Sequence, residues 1–180
     1  MAVTLPALVV VAGPPAAGKS AIAEALRTAL GFPLVAKDAL KESLGESLGV
    51  TEPAESKRLG SAVFELMPVL LRELLGAGVS VVTEGNFAVA SPVLDDLPPA
   101  RLVQVHVTAD RDTLHERLLT RGAGRHPIHY DHVAAAEIAA RIERDDWAPL
   151  PLDAPLVLVD TTTTWPDLDW LVREVEMHLC

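Results

Sequence analysis

Gly13-Pro14-Pro15-Ala16-Ala17-Gly18-Lys19-Ser20 follows the pattern G-x-x-x-x-G-K-[ST] and stands between the apolar run at residues 7–11 and a helical stretch beginning at Lys19. Strand, small-residue loop and helix in that order form a phosphate cradle. Small side chains let backbone N–H groups curl around a β-phosphate, and the following helix aims its positive end at the same anion. Lys19 has the length to reach the β- and γ-phosphates, and the Ser20 hydroxyl is the type of group that ligates Mg²⁺. The candidate residues for a nucleoside triphosphate are therefore Gly13, Pro14, Pro15, Ala16, Ala17, Gly18, Lys19, Ser20 and Ala21, with Ser20 also the candidate metal ligand.

The chain around this loop has 180 residues, 49% of them hydrophobic and only 4% aromatic. That is enough for one domain whose parallel sheet is covered on both faces, with a core of Leu, Val and Ala. The formal net charge of -10 disfavours a broad nucleic-acid or anionic-membrane surface, while leaving room for a local basic cleft. The single cysteine is Cys180, so there is no disulfide framework and no thiolate metal cluster, which suits a reducing cytoplasm. No Lys or Arg precedes the first apolar run, as a signal peptide would need, and no apolar run is long enough to span a bilayer.

Five apolar runs, at 7–11, 33–36, 79–83, 102–107 and 156–159, alternate with helical stretches at 19–30, 39–47, 54–75, 111–121, 132–146 and 168–179. Continuous apolar strands predict burial on both faces, and the alternation predicts a parallel sheet within one α/β domain over residues 1–180. Gly76 and Gly78 are expected to stop the third helix, and Asp110 or Thr108 to cap the fourth. Residues 92–99 and 122–130 read as loops.

Ligands of open parallel sheets bind beyond the carboxyl ends of the strands, which nominates further residues. Asp38 follows the second run, where a carboxylate can orient an acceptor hydroxyl and take its proton. It also stands where it could cap the next helix. Glu84, Gly85 and Asn86 end the third run. Glu84 can hold Mg²⁺ through water or bind an acceptor hydroxyl, and Asn86 can donate and accept. The second metal-associated carboxylate is therefore open between Asp38 and Glu84. Arg117, Arg121 and Arg125 recur every four residues, the first two on one helical face. They read either as a flap closing over phosphates or as a solvated stripe pairing with Asp112, Glu116 or Glu137. His126, His129, Asp131 and His132 have spacings a metal could use, though a plain polar flap is the simpler reading. Trp147, Trp165 and Trp170 read as packing residues.

With those residues placed, the chain resembles the P-loop kinase-type NTPases of the AAA-33, zeta-toxin and polynucleotide-kinase-like group, to which chloramphenicol phosphotransferase and gluconate kinase are similar in form. The resemblance runs from Leu8 to about Leu179. It implies a three-layer α/β/α fold with a five-stranded parallel sheet in the order 2-3-1-4-5 and a mobile Arg-rich lid at about residues 117–132. It implies MgATP as phosphoryl donor, Asp38 as the acceptor-activating group, and Arg117, Arg121 and Arg125 as lid arginines, with the Asp160-Thr161 strand end near the adenine. The acceptor would lie between Asp38, the third helix and the lid, where Lys37, Lys41 and Arg58 are the available cations. The chain has no room for the helical domain of ring-forming relatives and lacks the long insertion of zeta toxins.

The expected function is an ATP-dependent kinase acting on a hydroxyl of a small molecule, whether metabolite, sugar, nucleoside or antibiotic. Lys19, Asp38, Arg121 and Arg125 would be catalytic, and Asp38, Lys41, Arg58, Glu84 and Asn86 would bind the acceptor. Arg117, Arg121 and Thr161 would join the phosphate loop in binding ATP. A cytoplasmic monomer or homodimer, without nucleic-acid or membrane partners, completes the expectation. The alternatives are a polynucleotide 5′-end or nucleotide-sugar kinase and a non-catalytic nucleotide switch. A guanine switch lacks its N-K-x-D segment here.

Overall fold

The computed structural model describes residues 4–89 and 91–179. Its first strand, β1 (Ala7–Ala12), is buried along its whole length, and α1 (Lys19–Leu30) follows the phosphate loop. Next come β2 (Leu34–Ala36), α2 (Lys37–Leu48), α3 (Pro53–Gly76) and β3 (Val81–Glu84). The second half holds β4 (Arg101–Thr108), α4 (Arg111–Thr120), α5 (Asp131–Glu143), β5 (Leu156–Asp160) and α6 (Leu168–Leu179). All pairings are parallel, and the order is β2-β3-β1-β4-β5. This is the expected three-layer α/β fold.

Alternation along the strands separates two cores. Val9 and Val11 face α1 and α6 with Ile22, Leu26, Leu171 and Val175. Leu8 and Val10 face α3, whose Val63, Met67 and Leu71 are fully buried. Full burial of each such side chain stabilises by about 1.5–3 kcal/mol, and β1 draws on both layers. The phosphate loop therefore leaves the sheet from a rigid central strand. Pro68 lies inside α3, and the helix continues across it to Gly76.

β5 departs from the expected two-sided burial. Val157 and Val159 are buried, whereas Leu156 and Leu158 are 42% and 60% exposed. The strand is at the sheet edge, and only its face toward α6 is covered. The strand boundaries also shift slightly. β3 begins at Val81 because Ser80 turns its hydroxyl to accept from the Ala7 N–H at 2.9 Å. Asp110, rather than Thr108, caps α4 by accepting from the Thr113 N–H at 2.7 Å. The fifth helix ends at Glu143, short of the expected Asp146. Cys180 and the side chains of Asp131 and His132 lie outside the described residues. Among the described residues no helix is long and apolar enough to cross a membrane.

Candidate active site

The loop after β1 is shaped by close approach. Gly13 has φ 136°, and a Cβ there would overlap the Val107 carbonyl oxygen of β4. Gly18, at φ 92°, caps α1 without a side-chain hydrogen bond, so the first N–H groups of that helix remain for an anion. A Cβ on Gly18 would meet the Trp165 ring at 3.0 Å. Lys19 folds back over the loop and donates from Nζ to the Pro14 carbonyl oxygen at 2.8 Å. Burial pushes its pKa down to about 8, against the opposing pull of Glu84 and Asp38. Ser20 and Ala21 are exposed beside it. These residues fit a Mg-bound triphosphate: a narrow turn that excludes Cβ atoms, uncapped N–H groups, a cation and a hydroxyl.

β2 passes into α2 without a loop, and Ala36 takes the N-cap position. Asp38 is thus already inside the helix. Its side chain does not cap; Oδ1 accepts from Lys37 Nζ at 2.8 Å and Oδ2 from Arg125 Nη2 at 2.5 Å. Burial opposes ionisation of Asp38, but Lys37, Arg125 and His129 together hold its carboxyl well below the usual carboxylate range. The capping reading is corrected accordingly. Glu84 ends β3 in a buried position, where burial raises its pKa and the Lys19 ammonium opposes the rise.

One cavity of about 370 Å³ is lined by Pro15, Ala16 and residues 18–21 of the phosphate loop and α1, by Lys37, Asp38 and Lys41 of α2, by Glu84 and Asn86, and by Arg121, Arg125 and His129 of the expected lid. Arg58 is not part of it. That side chain is exposed on α3, because the helix turns Ser56 and Leu59 inward instead. Arg117 and Arg121 diverge where α4 passes into a 3-10 turn at Arg121. Arg117 donates to the Thr161 carbonyl oxygen at 2.6 Å and to its Oγ1 at 2.9 Å, while Arg121 lines the cavity. Thr161 is buried, its hydroxyl 3.0 Å from the Ala17 carbonyl oxygen, and so ties the end of β5 to the phosphate loop.

The lid is docked on α2 and α3. Its turn Pro127–His129 presents the Ile128 carbonyl oxygen to the Ser56 hydroxyl, and the Ile128 side chain fills the space over Gly45. His126 Nε2 lies 3.2 Å from Glu46 and His129 Nε2 lies 2.7 Å from Glu42. These two histidines are fastenings of the lid, and among the described residues no group of His, Cys, Asp and Glu side chains could hold a metal. Sequence reasoning missed Glu42, Glu46, Lys37 as partner of Asp38, and Trp165. Only Trp165 carried a usable signal, an aromatic five residues beyond the last strand end.

A family model described as an AAA domain matches residues 9–141. The chain is 36% identical to a protein of known structure from Chloroflexus aurantiacus J-10-fl described as a candidate kinase, with a TM-score of 0.87 over 97% of this chain and 99% of that one. A gluconokinase from Sinorhizobium meliloti 1021 is 22% identical, with a TM-score of 0.58 over 98% and 92% of the two chains. Shikimate kinase from Acinetobacter baumannii, solved with shikimate, is 18% identical, with a TM-score of 0.51 over 97% and 93%. No curated protein matches the sequence.

Proposed function

The chain belongs to the AAA domain family, and from that membership we propose that it is a phosphotransferase moving the γ-phosphoryl group of MgATP to a hydroxyl of a small molecule. The observation that carries this reading is the convergence of Lys19, Asp38, Arg121 and Arg125 on one cavity. The similar Chloroflexus protein supports the same class. Within the family, Asp38 and the arginine-bearing lid favour kinship with the AAA-33, zeta-toxin and polynucleotide-kinase-like group.

Bound MgATP supplies the phosphoryl group and the charge of the metal. The chain positions and neutralises, which is most of what phosphoryl transfer asks of a protein. Lys19 moves from the Pro14 carbonyl to the phosphates, and Arg121 approaches them from the lid. Arg117, fixed on Thr161, presents its guanidinium face toward the base. Ser20 offers its hydroxyl to the metal. Asp38 is engaged by Lys37 and Arg125, so Glu84 is the better carboxylate to hold the metal through water. Asp38 would accept the hydrogen bond of the attacking hydroxyl and receive its proton as the new P–O bond forms and the bond from the γ-phosphorus to the β,γ-bridging oxygen breaks, the electron pair leaving with ADP. The docked lid excludes water from the transfer. A single domain with a cytoplasmic location, where MgATP is supplied, belongs to the same reading.

The test is phosphoryl transfer from MgATP to a pooled acceptor library, read by mass spectrometry beside Lys19→Ala and Asp38→Ala. A phosphorylated product with the wild type and with neither variant supports the kinase. Full product with Asp38→Ala removes the role given to Asp38.

A further inference from the structure

A second cavity, of about 260 Å³, adjoins the phosphate loop between the end of β4, α4 and the segment that follows α5. It shares no lining residue with the first: Pro14 belongs to its wall and Pro15 to the other. Most of that wall is apolar, from Pro14, Leu114, Ile142, Trp147 and Pro149. Arg111 and Asp145 stand at the exposed rim, 3.3 Å apart, so the rim cation is already answered.

The exception in the wall is His106 of β4. It is 4% exposed, and its Nδ1 has no hydrogen-bond partner among the described residues. Leaving such an atom buried and unpaired is costly. Burial and the nearby Lys19 ammonium both lower the pKa of His106 from 6.5, so the imidazole is neutral at pH 7. Thr108, two residues on and thus on the same strand face, also lines the cavity, and its hydroxyl donates to the Ala109 carbonyl only at 3.4 Å. Water is a poor match for this wall. An ordered water takes about 30 Å³ and needs about two to four polar partners, so a space this size would hold several with only two such side chains to bind them. An apolar space of about 150 Å³ takes a benzene ring, and this one has room for a ring with a substituent.

We propose that this cavity is an effector site for a small neutral ring compound bearing one hydroxyl, of the phenol class, with the hydroxyl on His106. A hydroxyl donates and accepts, so it satisfies Nδ1 in either tautomer of the imidazole. The ring packs among Pro14, Leu114, Ile142 and Trp147. Two links run from there to the first cavity. The Pro14 carbonyl holds Lys19 Nζ at 2.8 Å, and Trp147 Nε1 donates at 3.0 Å to the carbonyl of Asn86, which lines that cavity. Binding at the site is independent of the kinase reading, and only its effect on MgATP rests on it.

Phenol, toluene and benzoate titrated into the full chain test the inference. The expected result is one phenol per chain, held about two- to tenfold more tightly than toluene, the worth of one hydrogen bond. Benzoate should bind more weakly than either, because its charge would be buried unpaired, and the His106 ring nitrogen resonances should shift as phenol binds. His106→Phe should keep toluene binding and bring phenol down to it. Ala148→Phe, which fills the cavity from its half-buried edge, should abolish both. Saturating phenol should change the MgATP Kd at least threefold, and MgATP the phenol Kd by the same factor. Phenol no tighter than toluene, or His106 resonances unmoved, overturns the role of His106. Benzoate binding best overturns the neutral class. Binding undiminished in Ala148→Phe, or no saturable binding to the wild type, overturns the site. Phenol bound with MgATP affinity unchanged overturns the effector role, whereas phenol bound to a chain that takes no MgATP overturns the kinase reading and leaves the site standing.

Discussion

Arg125 of the lid reaches Asp38 of α2 across the cavity, Nη2 to Oδ2 at 2.5 Å, although 87 residues separate them in the chain. The carboxylate proposed to receive a hydroxyl proton is thus held by a lid cation that the transferring phosphoryl group would also attract. Arg125 and Lys37 keep Asp38 ionised against its burial. In the proposed reaction the docked segment would keep the acceptor carboxylate ready, and the transferring phosphoryl group would compete with it for the same arginine.

Removing Arg125 should separate these effects. Arg125→Ala removes a cation that lowers the Asp38 pKa, so the pKa rises and the acid limb of kcat/KM moves to higher pH. In the wild type that limb lies below the usual carboxylate range. Asp38→Asn should lower kcat by about 10²–10⁴-fold, the span of general acid–base contributions, with MgATP affinity within threefold. The measurements are pH–rate profiles and calorimetric titration. A wild-type profile bending near pH 4–5 and unmoved by Arg125→Ala contradicts the pairing.

Lys19 gives a second pH dependence of opposite origin. Burial depresses its pKa to about 8 from the ordinary 10.5. Phosphates favour the charged form, so binding is at full strength below pH 8. Above it the lysine must first take up a proton, and the MgATP Kd rises up to tenfold per pH unit. In the free protein the same burial penalises the ammonium. The folded pKa is below the unfolded one, so this penalty is complete below pH 8 and disappears between pH 8 and 10.5 as the lysine loses its charge. Lys19→Met should abolish turnover yet raise Tm by a few degrees at pH 7, an advantage that shrinks toward pH 10. Calorimetry and thermal melts across pH 7–10 check both statements.

Gly45 is where the lid rests. A Cβ there would overlap Ile128 Cδ1, and the Leu59 side chain lies 3.4 Å away. Gly45→Val should therefore lift the turn Pro127–His129 from α2 without touching the phosphate loop. The expected outcome is faster proteolysis within residues 121–130, a rise in acceptor-independent ATP hydrolysis, and MgATP affinity within threefold. Unchanged cleavage would mean that the lid does not depend on this seat.

What could be read along the chain, and what could not, follows from the range of the interactions. The phosphate loop and α1 are local, and residues 19–30 were legible as a helix to the residue. Strand positions were legible because buried parallel strands are continuous apolar runs. The exposure of Leu156 and Leu158 was not, since edge position depends on strand order and not on composition. Asp38 was legible as a strand-end carboxylate but not as the partner of Arg125. Its helix starts two residues before the expected point, which turns a capping position into an interior one. Glu42 and Glu46 had no signal at all, because each matters only through a histidine 80 or more residues away. Arg58 shows the converse, a cation near the right segment on the wrong face of its helix.

Trp165 packs on the phosphate loop and is the candidate to meet the base in the proposed nucleotide site. It is half exposed, its ring against Gly18, and the preceding loop residue, Ala17, accepts from the Thr161 to which Arg117 donates. A half-exposed aromatic ring and a guanidinium held on the end of β5 are both groups on which a purine can stack. If Arg117 meets the base and not the transferring group, Arg117→Ala should raise the KM for ATP about tenfold while kcat falls less. Binding of MgADP should quench tryptophan emission in the wild type, and Trp165→Phe should lose most of that quenching while Trp147 and Trp170 remain. If the quenching persists undiminished in Trp165→Phe, the base lies elsewhere, and the position of Trp165 is explained by its packing on Gly18 alone.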